Sequence, residues 1–127
     1  MRTIEQHAQA LADGRTTSRA LVEQCLARIA DPNGEGARAF IKVHAEEARA
    51  MADAMDALRR ARRELSRYAG IPVSLKDLFD IAGEPTPAGS RVLADTPPAD
   101  AHAPVVQRML AAYRPIRVEK WIDKKES

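Results

Sequence analysis

Between Gly70 and Lys76 the chain changes its repeat. Ile71, Val73 and Leu75 alternate with Pro72, Ser74 and Lys76, the two-residue period of a strand that buries one face. A strand cannot stand alone, because its backbone donors and acceptors need neighbours. The run therefore demands other extended segments in a chain that elsewhere repeats with helical spacing. Ser74 and Lys76 share the face opposite the aliphatics, and acids follow at Asp77 and Asp80.

The helical part is built before that run. Thr3 and Gln6 have the spacing of a capping box, and Gly14 suits the left-handed residue that closes a first helix. Thr17 or Ser18 can cap a second helix, whose Leu21, Val22, Cys25, Leu26 and Ile29 recur on one face. The segment DPNGEG at 31–36 ends it. AFIKVH is too short for a helix and reads as a brief strand or extended entry. A third helix runs from Ala45 through Ala48, Met51, Ala52, Met55 and Leu58, with acids early and arginines late, the order that suits its dipole. After Lys76, GEPTPAGS and DTPPAD are loop chemistry, and Pro104 opens a short helix carrying Val105, Val106, Met109 and Leu110.

Composition agrees with this balance. The 127 residues are 45% hydrophobic, much of it alanine, and only 4% aromatic, which favours helices packed through Ala, Leu, Val and Ile. The net charge of +2 makes no case for nucleic acid or membrane. The single cysteine, Cys25, allows no internal disulfide and no cysteine metal cluster; on an apolar helix face it reads as packing. His7, His44 and His102 show no metal-ligand spacing, and surface or capping roles are their default. No stretch reaches the length of a membrane span, and the N-terminus has no apolar leader core. A cytoplasmic location is the expectation, with neither cofactor nor metal.

Two readings of Lys76 remain open on these grounds. It can end an edge strand, reach water and pair with Asp77 or Asp80. It can also be a partly desolvated lysine serving as a general base. The run GIPVSLKD at 70–77, followed by Asp80 and by TPAGS at 86–90, resembles the amidase signature family. There a G-I-P-[VI]-x-[VL]-K-D strand precedes a T-x-x-G-S loop. TTSRALVEQCLARI, ARAFIKVHAEEARAMADAMDA and DAHAPVVQRMLAA are similar to the family's flanking segments, in order and spacing, from about Thr3 to Ala112.

The resemblance implies an α/β fold, an N-terminal fragment of the amidase signature fold, mostly helical with one or two short strands. It implies an amide hydrolase of the Ser-Ser-Lys type. The lysine acts through a bridging serine on a nucleophilic serine, and backbone amides form the oxyanion hole. Lys76 is the catalytic position that carries over. The family continues with Gly-Lys-Thr-Asn and a Gly-Ser-Ser-Gly-Gly-Ser loop, which this sequence lacks. Its five serines, Ser18, Ser66, Ser74, Ser90 and Ser127, include no adjacent pair.

The expectation is thus an N-terminal part at 1–112 that keeps the lysine but neither serine, and that is inactive alone. Residues 113–127 form a divergent, charged tail whose apolar residues fit neither period, as a frameshift would leave it, or as a short protein that borrowed the N-terminal segment would carry it. By resemblance the parent acts on a small-molecule amide. Whether it is a free amidase or one component of a transamidation complex stays open. The alternative is a small helical non-enzymatic module that binds RNA or protein through the basic run Arg59–Arg67, for which a solvated helix end before Gly70 is the default explanation.

Overall fold

The computed structural model describes residues 2–63, 66–113 and 116–121. Its elements follow the order α1 (Ile4–Ala12), α2 (Ser18–Ala30), α3 (Gly36–Ala39), β1 (Phe40–Val43), α4 (Ala45–Arg60), β2 (Pro72–Lys76), α5 (Pro104–Tyr113) and β3 (Ile116–Trp121). The fold is α/β and mostly helical, and both extended segments expected from the sequence form strands.

Each long helix starts and stops for a local reason. Thr3 Oγ1 accepts from the Gln6 amide at 3.2 Å, while Gln6 Oε1 accepts from the Thr3 amide at 2.9 Å, completing the capping box of α1. Gly14, at φ 69°, turns the chain left-handed, and the Gly14 and Arg15 amides donate back to Leu11 and Ala10. Thr17 caps α2 through the Ala20 amide at 3.0 Å. The end of α4 repeats the α1 geometry: Arg62 donates to the Arg59 carbonyl and Arg63 to that of Leu58, with Arg62 itself at φ 52°. Both helices close with the same double-bonded left-handed motif, one through glycine and one through arginine.

Three apolar clusters make the interior. Val22 and Leu26 of α2 meet Ala48, Ala52 and Met55 of α4, with Ala69 beneath. The alanines let the two helix backbones approach, and each fully buried larger side chain contributes roughly 1.5–3 kcal/mol. Ala8 and Leu11 of α1 join Leu21 and Ile71. Leu75 joins Ile81 and Val106. Strand β2 thus belongs to two clusters, with Ile71 at its entrance in one and Leu75 near its end in the other. Of the two methionines spaced along α4, Met51 is 41% exposed and Met55 is buried in the core.

A polar lock reinforces the α2–α4 pair. The buried Asp56 carboxylate of α4 accepts from the Ser18 amide at 2.8 Å and the Arg19 amide at 3.0 Å, the first two amides of α2. A carboxylate there satisfies free donors and faces the positive end of the helix. Arg59, one turn further on, donates to the Ala69 carbonyl at 2.9 Å. Gly70 follows at φ 83°, and a Cβ on it would lie 2.2 Å from Ser18 Oγ. Only glycine fits where the chain turns from this lock into β2.

The three strands form one sheet in the order β1-β3-β2, with β3 antiparallel to β1 and parallel to β2. The sequence assigned no strand to the tail, yet β3 lies within it. The reason is visible in the register. Val73 pairs with Arg117 and Ser74 with Glu119, so Val118 is an extra residue in the ladder. A bulge shifts the alternation by one place and erases a clean two-residue period. The expected tail residues at 114–115 and 122–127 lie outside the described residues.

Candidate functional site

Lys76 is the last residue of β2, opposite Trp121 in the ladder, and half-buried. The strand presents Leu75 inward and Ser74 to solvent, as the alternation required. Beyond it the Phe79 amide donates to the Lys76 carbonyl at 3.2 Å, so the chain turns directly after the lysine. Asp77 is only 1% exposed, whereas Asp80 is exposed. The two acids that flank the lysine in sequence therefore occupy different environments.

Next to this strand end lies an apolar cleft of about 230 Å³, lined by Val73, Leu75, Ile81, Val106 and Met109, with Glu47 and His102 at its polar positions. His102 Nδ1 accepts from the Ala82 amide at 3.1 Å. It ties the start of α5 to the segment leaving the lysine, a tertiary role that its isolated position in the sequence did not announce.

The TPAGS segment forms a tight turn. The Ser90 amide donates to the Pro87 carbonyl at 2.8 Å, and the two residues between, Ala88 and Gly89, sit at φ 52° and 75°. Two consecutive left-handed residues define a type I′ turn. Glycine takes that conformation freely, whereas Ala88 is held there at a cost of roughly 1–2 kcal/mol. The loop carrying the turn closes at its base. Gly83 donates to Ala99 at 2.9 Å, and Ala99 donates to Glu84 at 3.0 Å. Glu84 is buried there, with Oε1 3.2 Å from His44 Nε2 and Oε2 3.7 Å from Lys42 Nζ. Neither Glu84 nor His44 stood out in the sequence; a glutamate beside a proline in a loop reads as solvent-facing.

The remaining candidates are separate from this region. The basic run is divided: Arg59 is bound to Ala69 inside the fold, Arg67 pairs with Glu5, and Arg62 and Arg63 line a groove of about 300 Å³ beside Ala8 and Ala12. Residues 64 and 65 of the run lie outside the described residues. Cys25 is half-buried rather than core and lines a cleft with His7, Gln24 and Arg28. Ser18 is fully buried under Gly70, and Ser74 is exposed on β2. Among the described residues no three His, Cys, Asp or Glu side chains gather as a metal site, and no helix is long and apolar enough to cross a membrane.

A lysine thus ends a short strand that pairs in parallel, and a tight glycine turn and a helix opened by proline follow it. The chain matches the Amidase family over residues 20–116, and it belongs to that family. It is 46% identical over 113 residues to AtzE, a component of the 1-carboxybiuret hydrolase of Pseudomonas sp. (strain ADP), a match covering 88% of this chain and 24% of the relative. It is 42% identical over 110 residues to a component of the glutamyl-tRNA(Gln) amidotransferase of Renibacterium salmoninarum, covering 86% and 21%.

Solved structures agree. The native peptide amidase of Stenotrophomonas maltophilia superposes with a TM-score of 0.77 at 30% identity, covering 93% of this chain and 24% of that one. An inhibitor-bound vestigial complex tied to the origins of an s-triazine catabolic enzyme gives 0.83 at 39% identity, covering 96% and 26%. The chain spans about a quarter of the length of the proteins it matches.

Proposed function

We propose that this chain is the lysine-bearing N-terminal part, at 1–112, of a Ser-Ser-Lys amide hydrolase, with residues 113–127 a divergent tail. In this reading Lys76 is the general base, the chain supplies neither catalytic serine, and it does not turn over amides alone. The observation that carries the reading is the position of Lys76. It ends β2 directly before the turn at Phe79, inside the segment matched to the family. A base at a strand end keeps a fixed direction, because both the ladder and the Leu75 cluster hold the backbone beneath it. Its neutral form would take the proton of a bridging serine, and that serine would take the nucleophile's.

The substrate class is a small carboxamide. The likeness to one component of an amidotransferase supports a parent that works in a complex with other chains, and a cytoplasmic setting goes with the same reading. The rival module binding RNA or protein through Arg59–Arg67 has less support, since Arg59 and Arg67 are already engaged within the fold.

The test is a chimera in which residues 3–112 replace the matching segment of AtzE. The chimera is expected to hydrolyse that enzyme's amide substrate, and Lys76→Ala within it should lower kcat by about 10²–10⁴-fold. The chain by itself should release no ammonia from the same substrate. Retained activity in the Lys76→Ala chimera would sink the assignment of the base; turnover by the isolated chain would sink the division of the triad.

A further inference from the structure

We propose that Glu84, clasped between His44 and Lys42, is the positioning residue that fixes the base of the loop at 85–98, and with it the turn at 86–90 in the segment that follows Lys76. The proposal rests on the reading of Lys76 as the base, and deepens it by naming what holds the segment leaving the lysine in place.

Four observations converge. The Glu84 side chain is 10% exposed and that of His44 11%, so their contact is screened from water. A carboxylate that buried needs charged or hydrogen-bonding partners to stay ionised, and two elements supply them. His44 lies at the start of α4 with Nε2 3.2 Å from Oε1, and Lys42 of β1 reaches Oε2 at 3.7 Å. His44 occupies the N-cap position of α4, yet makes no side-chain bond to the helix amides. The imidazole is turned to the loop instead of doing what that position usually rewards. Finally, the Glu84 backbone is committed as well. Its amide donates to Ile81 at 3.0 Å and its carbonyl accepts from Ala99, where the two ends of the loop meet. One residue therefore joins the loop's two ends to each other and to the β1–α4 corner.

Several ionisable groups surround His44. Glu47 of α4 lies 3.5 Å from Nδ1, Glu84 faces Nε2, Lys42 sits beyond Glu84, and His102 shares the cleft with Glu47. Glu119 holds the β3 position opposite Val43. Carboxylates thus lie at both ring nitrogens of His44.

Amide hydrogen exchange on the whole chain tests this, read at Gly83, Glu84 and Ala99 after correction for intrinsic exchange chemistry. Glu84→Gln and His44→Asn should each speed their exchange by about tenfold. Asparagine keeps a good cap for α4, so amides in the α4 interior should stay as protected as before. Glu47→Gln, which leaves both Glu84 contacts in place, should change the loop amides far less than either clasp variant. Unaltered exchange in both clasp variants would overturn the clasp.

In the chimera, Glu84→Gln should lower kcat several-fold while leaving Lys76 essential. Faster loop exchange with unchanged kcat would overturn the positioning role. Loss of Lys76 dependence, in contrast, would strike only the reading of the base, because the exchange result needs no catalysis.

Discussion

The α2–α4 pair and the segment from Asp77 to Ala103 are held by different means. The helices meet across a cluster of buried aliphatic side chains, with Asp56 bonded to the first amides of α2 and Arg59 to the Ala69 carbonyl. Outside them Arg19 and Arg49 share Glu23, at 2.8 Å each. The segment after the lysine contains no helix or ladder strand. It is gathered by scattered backbone bonds, by His102 and by the Glu84 contacts, and it leaves Leu78 and Val92 57% and 88% exposed. The difference separates two tasks. Redundant packing makes the helical half tolerant and stable, while the half that carries the lysine depends on a few specific contacts, each of which matters to geometry more than to stability.

That contrast can be broken or sharpened. The largest effect on stability is expected from Asp56→Ala, which leaves one buried and one partly buried amide at the start of α2 without their acceptor; urea unfolding should show a loss of about 3 kcal/mol. A loss under 1 kcal/mol would mean that packing alone holds the helices together. Arg62→Gly should act in the opposite direction, raising stability by about 1 kcal/mol, because the left-handed cap geometry suits glycine and strains arginine. An unchanged unfolding midpoint would show that the Arg62 side chain makes good the strain.

Glu23 gives a smaller effect with a definite sign. Arg49 first, then Arg19, pulls its carboxyl down to about 2. A depressed carboxylate contributes stability above its ordinary range, and that contribution fades as the pH falls from about 4.5 toward 2. Glu23→Gln should therefore lower stability at neutral pH by a small amount, and the two proteins should converge as the pH falls through that window, more clearly at low salt. Parallel acid limbs in the two proteins would remove Glu23 from the account. The smallest effect is expected from Lys76→Ala in the chain itself, within about 0.5 kcal/mol of the unaltered protein. A loss of several kcal/mol would make the lysine a structural residue and erase the division between the two halves.

Much of this was legible in the sequence because it is local. The Thr3–Gln6 box, Gly14, Thr17 and the aliphatic spacing of α2 and α4 each act within a turn or two, and each formed as expected. Alternation alone marked β2 and placed Lys76 at its end. What stayed hidden is long-range. Asp56 looks like any acid on a helix until the start of α2 arrives beside it, and Glu84 looks like loop chemistry until His44 does. Arg62 reads as one arginine among several, since nothing in composition shows a left-handed backbone. Strand β3 was concealed by its own bulge at Val118.

The place of β3 has a consequence for how the chain assembles. The middle strand of the sheet is also the last in sequence, so β1 and β2 have no partner between them while residues 44–115 are being made. On the ribosome the helical pair can collapse as soon as α4 emerges, because its contacts close short loops. The two outer strands must wait with open edges until residue 121 clears the exit tunnel. During that interval the lysine would ride on a strand not yet held in direction, and a chaperone or a stretch of another chain would find two ready edges to pair with.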